Sequence, residues 1–326
     1  MGTWQPEAFV PRRGLRGGHA QTLASFFLSR SIQVPPAEER LIEVEPGVKV
    51  LCHCHWQPDR KSALTILIIH GLEGSSDSQY MLGIAAKGMA AGMNVVRMNQ
   101  RNCGGTDALS PTLYHSGRSG DMAAVAQHLI HQDGVSRVAL AGFSMGGNLV
   151  LKLAGEWGRE GPPEFCAVAA VCPAVDLAPS ADALHLPSNR LYEYYFIVRL
   201  RQRLQQKARL FPGQFDLSRL RKVATLRDFD DKITAYYCGF TGADDYYARA
   251  AAALVLDRIA VPTLILHAAN DPFIRILPES RRKILANPNI TFVETEDGGH
   301  CSFLADPDGD DGHWAERQIL GFLRAL

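Results

Sequence analysis

One hexapeptide constrains this chain more than any other feature: Gly142-Phe143-Ser144-Met145-Gly146-Gly147. It follows the apolar run Val138-Ala-Leu-Ala141 and precedes a helical stretch that begins near Asn148. A turn from strand to helix this sharp puts its serine into strained backbone geometry. The glycines remove side chains that would strike the adjoining strand and helix. The hydroxyl is then presented above a sheet, at a helix N-terminus whose dipole favours developing negative charge. G-x-S-x-G alone is short and common, so the strand before it and the helix after it carry the weight. Ser144 is the expected nucleophile, with an ordinary glycine-rich turn as the bland alternative.

The rest of the chain supplies the setting such a turn requires. Leu41–Trp56 reads as two extended segments around a turn at Pro46-Gly47. Leu64-Thr-Ile-Leu-Ile-Ile69 is continuously apolar and rich in β-branched residues, as for a strand buried on both faces. Further strands are expected at 94–98, 137–141, 167–172, 263–267 and 290–293, and helices at 79–91, 120–131, 147–157, 278–286 and 313–326. This alternation predicts an α/β fold, a mostly parallel central sheet flanked by helices. From Leu177 to Ile259 the rhythm stops, and only helical patterns remain. So long a structureless loop is implausible. We expect a core domain of residues 1–176 and 260–326 and a helical cap insertion of residues 177–259. Within the insertion Tyr192, Tyr194, Tyr195 and Phe196 suit either a pocket for acyl chains or packing among its own helices.

A serine hydroxyl needs a base. Among eleven histidines, His300 stands on the glycine-rich loop Glu296-Asp-Gly-Gly-His300 after the last predicted strand. Serine hydrolases with this elbow run Ser, acid, His along the chain, and His300 meets that order. Two acids compete. Asp271 lies just beyond the strand that ends near His267, and Asp176 follows the strand before it. Asp271 is preferred, because the end of the penultimate strand is the commoner acid position, and a helix N-cap would account for Asp176. An oxyanion needs preorganised donors. The backbone N–H groups of Met145 and of Leu72, in His70-Gly71-Leu72-Glu73-Gly74, are the candidates. His70 itself reads as structural. The run Cys52-His-Cys-His55 alternates along a strand, which sends its cysteines and histidines to opposite faces, so no metal ligand is assigned. His128 and His131 read as a solvated helix face. Phosphate-loop, zinc-helix and dinucleotide motifs are missing from the sequence, so no cofactor is expected.

Composition removes other classes. Thirty-four basic residues balance thirty-four acidic ones, so no broad field favours nucleic acid or an anionic membrane. The longest apolar runs fall well short of the ~20 residues that span a bilayer, and the N-terminus has no apolar signal region. Seven cysteines, an odd number scattered over 326 residues, fit a reduced cytoplasmic protein.

These residues lie in a wider pattern: Gly18-His-Ala-Gln-Thr-Leu23, His70-Gly-Leu-Glu-Gly-Ser-Ser76, Arg101-Asn-Cys-Gly-Gly105, Tyr114-His-Ser-Gly117, the elbow through Asn148, Thr225-Leu-Arg-Asp-Phe-Asp230 and Gly239-Phe240 through Tyr247. Together they resemble the YheT-like branch of the α/β-hydrolase superfamily over nearly the whole chain. The resemblance places nucleophile, acid and base at Ser144, Asp271 and His300. It implies a serine carboxylesterase acting on short- to medium-chain esters through an acyl-enzyme, with a small-molecule ester as partner. Some such relatives cleave glycerolipids or transfer acyl groups to alcohols. Membrane-anchored relatives carry an N-terminal transmembrane helix that this sequence lacks, which directs the expectation towards soluble esters. A non-catalytic binding protein on the same fold is the alternative from another class.

Overall fold

The computed structural model describes residues 4–307 and 309–326. Along the chain run the strands β1 Glu38–Glu45, β2 Val48–His55, β3 Thr65–Ile69, β4 Asn94–Met98, β5 Val138–Phe143, β6 Phe165–Val171, β7 Thr263–Ala268 and β8 Ile290–Thr295. They form one sheet in the order β1-β2-β4-β3-β5-β6-β7-β8. β1 and β2 are antiparallel to each other, and β2 to β4, while the remaining neighbours run parallel.

β3 shows why this sequence makes such a sheet. All five of its residues are buried. Leu67 and Ile69 pack on one face and Ile66 and Ile68 on the other. Each fully buried Leu or Ile is worth about 1.5–3 kcal/mol over an exposed one, so both faces must be covered. The helices, in chain order, include α1 Gly18–Phe27, α2 Gln79–Ala90, α3 Ser119–Asp133 and α4 Met145–Trp157, followed by α5 Leu177–Leu184, α6 Arg190–Leu210, α7 Ala243–Ala250, α8 Pro278–Ala286 and α9 Trp314–Arg324. Val125 and Leu129 of α3 and Leu149 of α4 close the first face. Ile84 of α2 and Ile319 of α9 close the second.

Between β6 and β7 every regular element is helical, including a π-helical turn at Asp230–Ala235. These helices have an apolar cluster of their own, with Leu177, Leu200, Leu204, Phe229, Ile233 and Tyr246 meeting Leu113 and Phe273 from the sheet's loops. Of the four aromatics suggested for a pocket or for packing, Tyr192 and Phe196 pack against this cluster, while Tyr194 is 70% exposed and Tyr195, 38% exposed, packs at the surface on Phe196 and Phe26. Among the described residues no helix is long and apolar enough to cross a membrane.

Parallel pairing aligns strand ends. Ile69 lies beside Gly142, and Phe143 beside Val171. The loops that follow β3, β5, β6, β7 and β8 therefore gather along one edge, where open α/β sheets bind ligands.

Candidate active site

Ser144 occupies the turn between β5 and α4 with φ 55° and ψ −118°, a conformation that a side chain adopts only under constraint. Close packing supplies the constraint. A Cβ on Gly142 would stand 2.3 Å from the Gly146 carbonyl oxygen, and one on Gly146 would stand 2.4 Å from that of Ile69. The Ser144 N–H donates to Val171 O (2.9 Å), and its carbonyl accepts from Asn148 N (3.1 Å) and Ala174 N (3.3 Å). Gly71 lies against the hydroxyl, since a Cβ there would be 3.7 Å from Ser144 Oγ.

The loop after β3 is set by His70. Its Nε2 accepts the Gln100 N–H (3.1 Å), and its Nδ1 donates to Gly71 O (2.8 Å), which fixes one neutral tautomer. Burial pushes its pKa down to about 4. His70 is thus structural, as its sequence context suggests. The Gly71 N–H is taken by the Tyr80 hydroxyl and the Glu73 N–H by that of Tyr114. The N–H groups of Leu72 and Met145 have no acceptor among the described residues. Met145 N–H is also an orphan donor by position, at the first residue of α4.

Asp271 and His300 come together. Asp271 is buried, and its Oδ1 accepts the N–H groups of Phe273 (3.0 Å) and Ile274 (2.9 Å). Its Oδ2 lies 2.8 Å from His300 Nδ1. Burial alone would raise this carboxyl, but the His300 charge and these hydrogen bonds hold it below the usual carboxylate range. Burial likewise disfavours the His300 imidazolium, yet the neighbouring Cys301 sulfur and Asp271 outweigh it and raise its pKa. His300 Nε2 lies 3.9 Å from Cys301 Sγ and makes no hydrogen bond to Ser144 in this structure. Asp176 is elsewhere: its carboxylate accepts from Leu277 N and Ser280 Oγ, both at 2.8 Å. It stands at the N-cap position of α5 but makes no side-chain cap bond, so the N-cap explanation is corrected to a clamp on the start of α8.

Sequence reasoning assigned no role to α1, and the structure gives it one. Thr22 Oγ1 accepts the His300 N–H (2.8 Å), and Gln21 holds Leu304 through both its N–H and its carbonyl. A Cβ on Gly18 would sit 1.9 Å from Asn270 O, so only glycine lets α1 reach this loop. The motif Gly18–Leu23 was visible, but not what it would touch. Asn148 likewise ties the elbow to the helices above, donating to Ser116 O and Ala250 O and accepting from Ala252 N. Cys52 and Cys54 are buried in the sheet, and His55 Nε2 accepts from Arg97 Nε (3.1 Å). That run belongs to no cluster of three metal-capable side chains among the described residues.

Above Ser144 opens a cavity with about 930 Å³ of free space, its mouth included, lined by Leu72, Met145, Leu177, Phe196, Leu200 and Phe273 among others. Its wall is mainly apolar. Arg203 of α6 reaches down beside it to Glu73, with Nε and Nη2 at 2.8 and 3.0 Å from the carboxylate, and Tyr114 donates to the same group at 2.6 Å. This bonds the helical roof to the loop that carries Leu72.

The family described as alpha/beta hydrolase fold matches residues 65–307. YheT of Escherichia coli, which carries an esterase name, is 31% identical over 97% of this chain and 92% of its own. Phospholipase ABHD3 of Mus musculus is 29% identical over 98% of this chain and 79% of its own. Among solved structures, esterase Pf2001 of Pyrococcus furiosus superposes with a TM-score of 0.57 at 14% identity, covering 91% of this chain and 99% of that one.

Proposed function

The chain belongs to the α/β-hydrolase fold family, in its YheT-like branch, and is a carboxylic ester hydrolase; on that premise we propose that it cleaves short- to medium-chain esters through an acyl-enzyme on Ser144. The observation that carries this reading is the meeting of the Ser144 hydroxyl with two unpaired backbone donors, Leu72 and Met145, on the floor of an apolar cavity. Those N–H groups would hold the oxyanion of the tetrahedral intermediate, and removing one such donor typically costs about 10²–10³ in rate. His300, oriented by Asp271 through Nδ1, takes the Ser144 proton at Nε2 and returns it to the leaving alcohol. Water then attacks the acyl-enzyme by the same route. Substrate binding draws Nε2 from its place beside Cys301 into hydrogen bond with Ser144, as catalytic hydrogen bonds often tighten only in the Michaelis complex. The helical segment 177–259 serves as the cap that receives the acyl chain.

A p-nitrophenyl ester series from acetate to palmitate, run beside Ser144→Ala, tests this. Turnover should peak at short or medium acyl length and fall more than a hundredfold in the variant. Absence of turnover together with failure of a fluorophosphonate to label Ser144 would overturn the reading in favour of a binding protein. A second reading, hydrolysis of glycerolipids by the same residues, has its own support. A relative is named a phospholipase, and Phe26, Phe27, Tyr194 and Tyr195 are exposed together, with Phe26 touching Tyr195. Preference for phospholipid vesicles over p-nitrophenyl esters would establish it.

A further inference from the structure

We propose that Cys172, Cys301 and His300 form a binding site for a soft divalent cation, such as zinc or cadmium, whose occupancy silences the ester hydrolase. The inference rests on the proposed role of His300 as base.

The three donor atoms lie within 4.8 Å of one another, and His300 Nε2 is 3.9 Å from Cys301 Sγ. In a tetrahedral zinc site, with bonds of about 2.3 Å to sulfur and 2.0 Å to nitrogen, ligand atoms stand roughly 3.5–3.8 Å apart. At that outer limit the cluster closes by about 1 Å to grip a cation, and the His300–Cys301 pair already stands close to the required spacing.

Orientation is already provided. Asp271 engages Nδ1, so Nε2 turns its lone pair towards the sulfurs. A carboxylate behind a histidine is the usual support of a metal-bound imidazole. The Cys301 N–H donates to Cys172 Sγ (3.4 Å), a bond that favours the anionic form a metal ligand must take. Both cysteines have positive φ, 41° and 59°, and both arise from loops at the active edge of the sheet. Two sulfurs and one imidazole are a soft set that selects zinc or cadmium over magnesium or calcium. Binding releases two thiol protons to solvent and uses the Nε2 lone pair. That lone pair is the one that must accept the Ser144 proton, so the loaded protein cannot turn over.

The test uses the full chain, reduced, stripped with EDTA and titrated with cadmium chloride. Thiolate-to-cadmium absorbance and ester turnover are followed together. One cadmium ion per chain should bind, with turnover falling at least tenfold in parallel and returning with EDTA, which by itself leaves the rate unchanged. Cys301→Ser and Cys172→Ala, each normalised to its own rate without metal, should lose the absorbance step and need at least about ten times more cadmium for half-inhibition. Should Cys172→Ala fail to fold by circular dichroism, Cys301→Ser alone decides. Absorbance and inhibition unchanged in the folded variants would overturn the site. Cadmium bound at the pair with turnover untouched would overturn the silencing, whereas unchanged turnover in a folded His300→Ala protein would overturn, separately, the assignment of His300 as base.

Discussion

Around Ser144 the main chain imposes the geometry, whereas the helical segment above it is attached by side chains. At the elbow, Gly142 and Gly146 are pressed against carbonyl oxygens at distances that no Cβ tolerates. The ties of the segment include the Arg203–Glu73 pair, the bonds of Asn148, and Lys207 Nζ donating to Asp107 O at 2.9 Å. Its Gly213 has open space where a Cβ would go. A backbone-built site is rigid and intolerant, while one attached by side chains can loosen one contact at a time. The reactive edge of this protein is therefore stiff beneath and adjustable above.

Four perturbations break or sharpen that contrast. The largest acts on the acid. Asp271→Asn removes the charge that sets the His300 tautomer and should lower kcat by about 10⁴. Asp176→Asn, which loosens only a clamp on α8, should cost less than about threefold; the reverse ranking, read from steady-state kinetics, would exchange their roles. Next is the elbow. Gly146→Ala drives a Cβ to 2.4 Å from a backbone oxygen and should destabilise by about 3 kcal/mol with loss of phosphonate labelling. Gly213→Ala, where only φ +82° opposes it, should cost about 1–2 kcal/mol in urea denaturation and leave labelling intact.

Third, Arg203→Met leaves the buried Glu73 with Tyr114 alone and should destabilise by about 2 kcal/mol. It should also raise KM more than it lowers kcat, because the roof loosens before the elbow does. Adding Glu73→Gln should recover most of the stability. The fourth perturbation is acid. Burial pushes the pKa of His70 down to about 4 and that of His115 to about 3. Both are lower folded than unfolded, so protonation favours the unfolded chain and stability falls as pH drops from about 6.5 towards 4. The slope approaches about 1.4 kcal/mol per pH unit for each histidine. His115→Gln should flatten it by about one proton in urea melts taken between pH 7 and 5.

Legibility follows the same division. The sheet could be read because strands covered on both faces are apolar throughout, as in Leu64–Ile69, and because parallel order fixes which loops share an edge. That logic also brings Asp271 and His300 to within a hydrogen bond of each other. Helix α1 escaped because its pattern is inverted: Gln21 is buried while Phe26 and Phe27 are exposed. Between 217 and 238 short turns and a π-helix replace any steady period, so sequence spacing carries no phase there. The meeting of Cys172 with Cys301 depends on a contact 129 residues long. No local signal encodes it, although Cys301 stands next to the expected base.

The seating of α1 on the His300 loop has a consequence for the order in which the site comes into being. Thr22 and His300 are 278 residues apart, so their bond closes a loop of almost the entire chain. The entropy of such closure grows only slowly with length, and it is met late. During synthesis the elbow, its glycines and both proposed oxyanion donors emerge well before His300 does. The growing polypeptide thus carries Ser144 without its proposed base, and on that reading reactivity begins when the last strand and its loop reach a helix made long before.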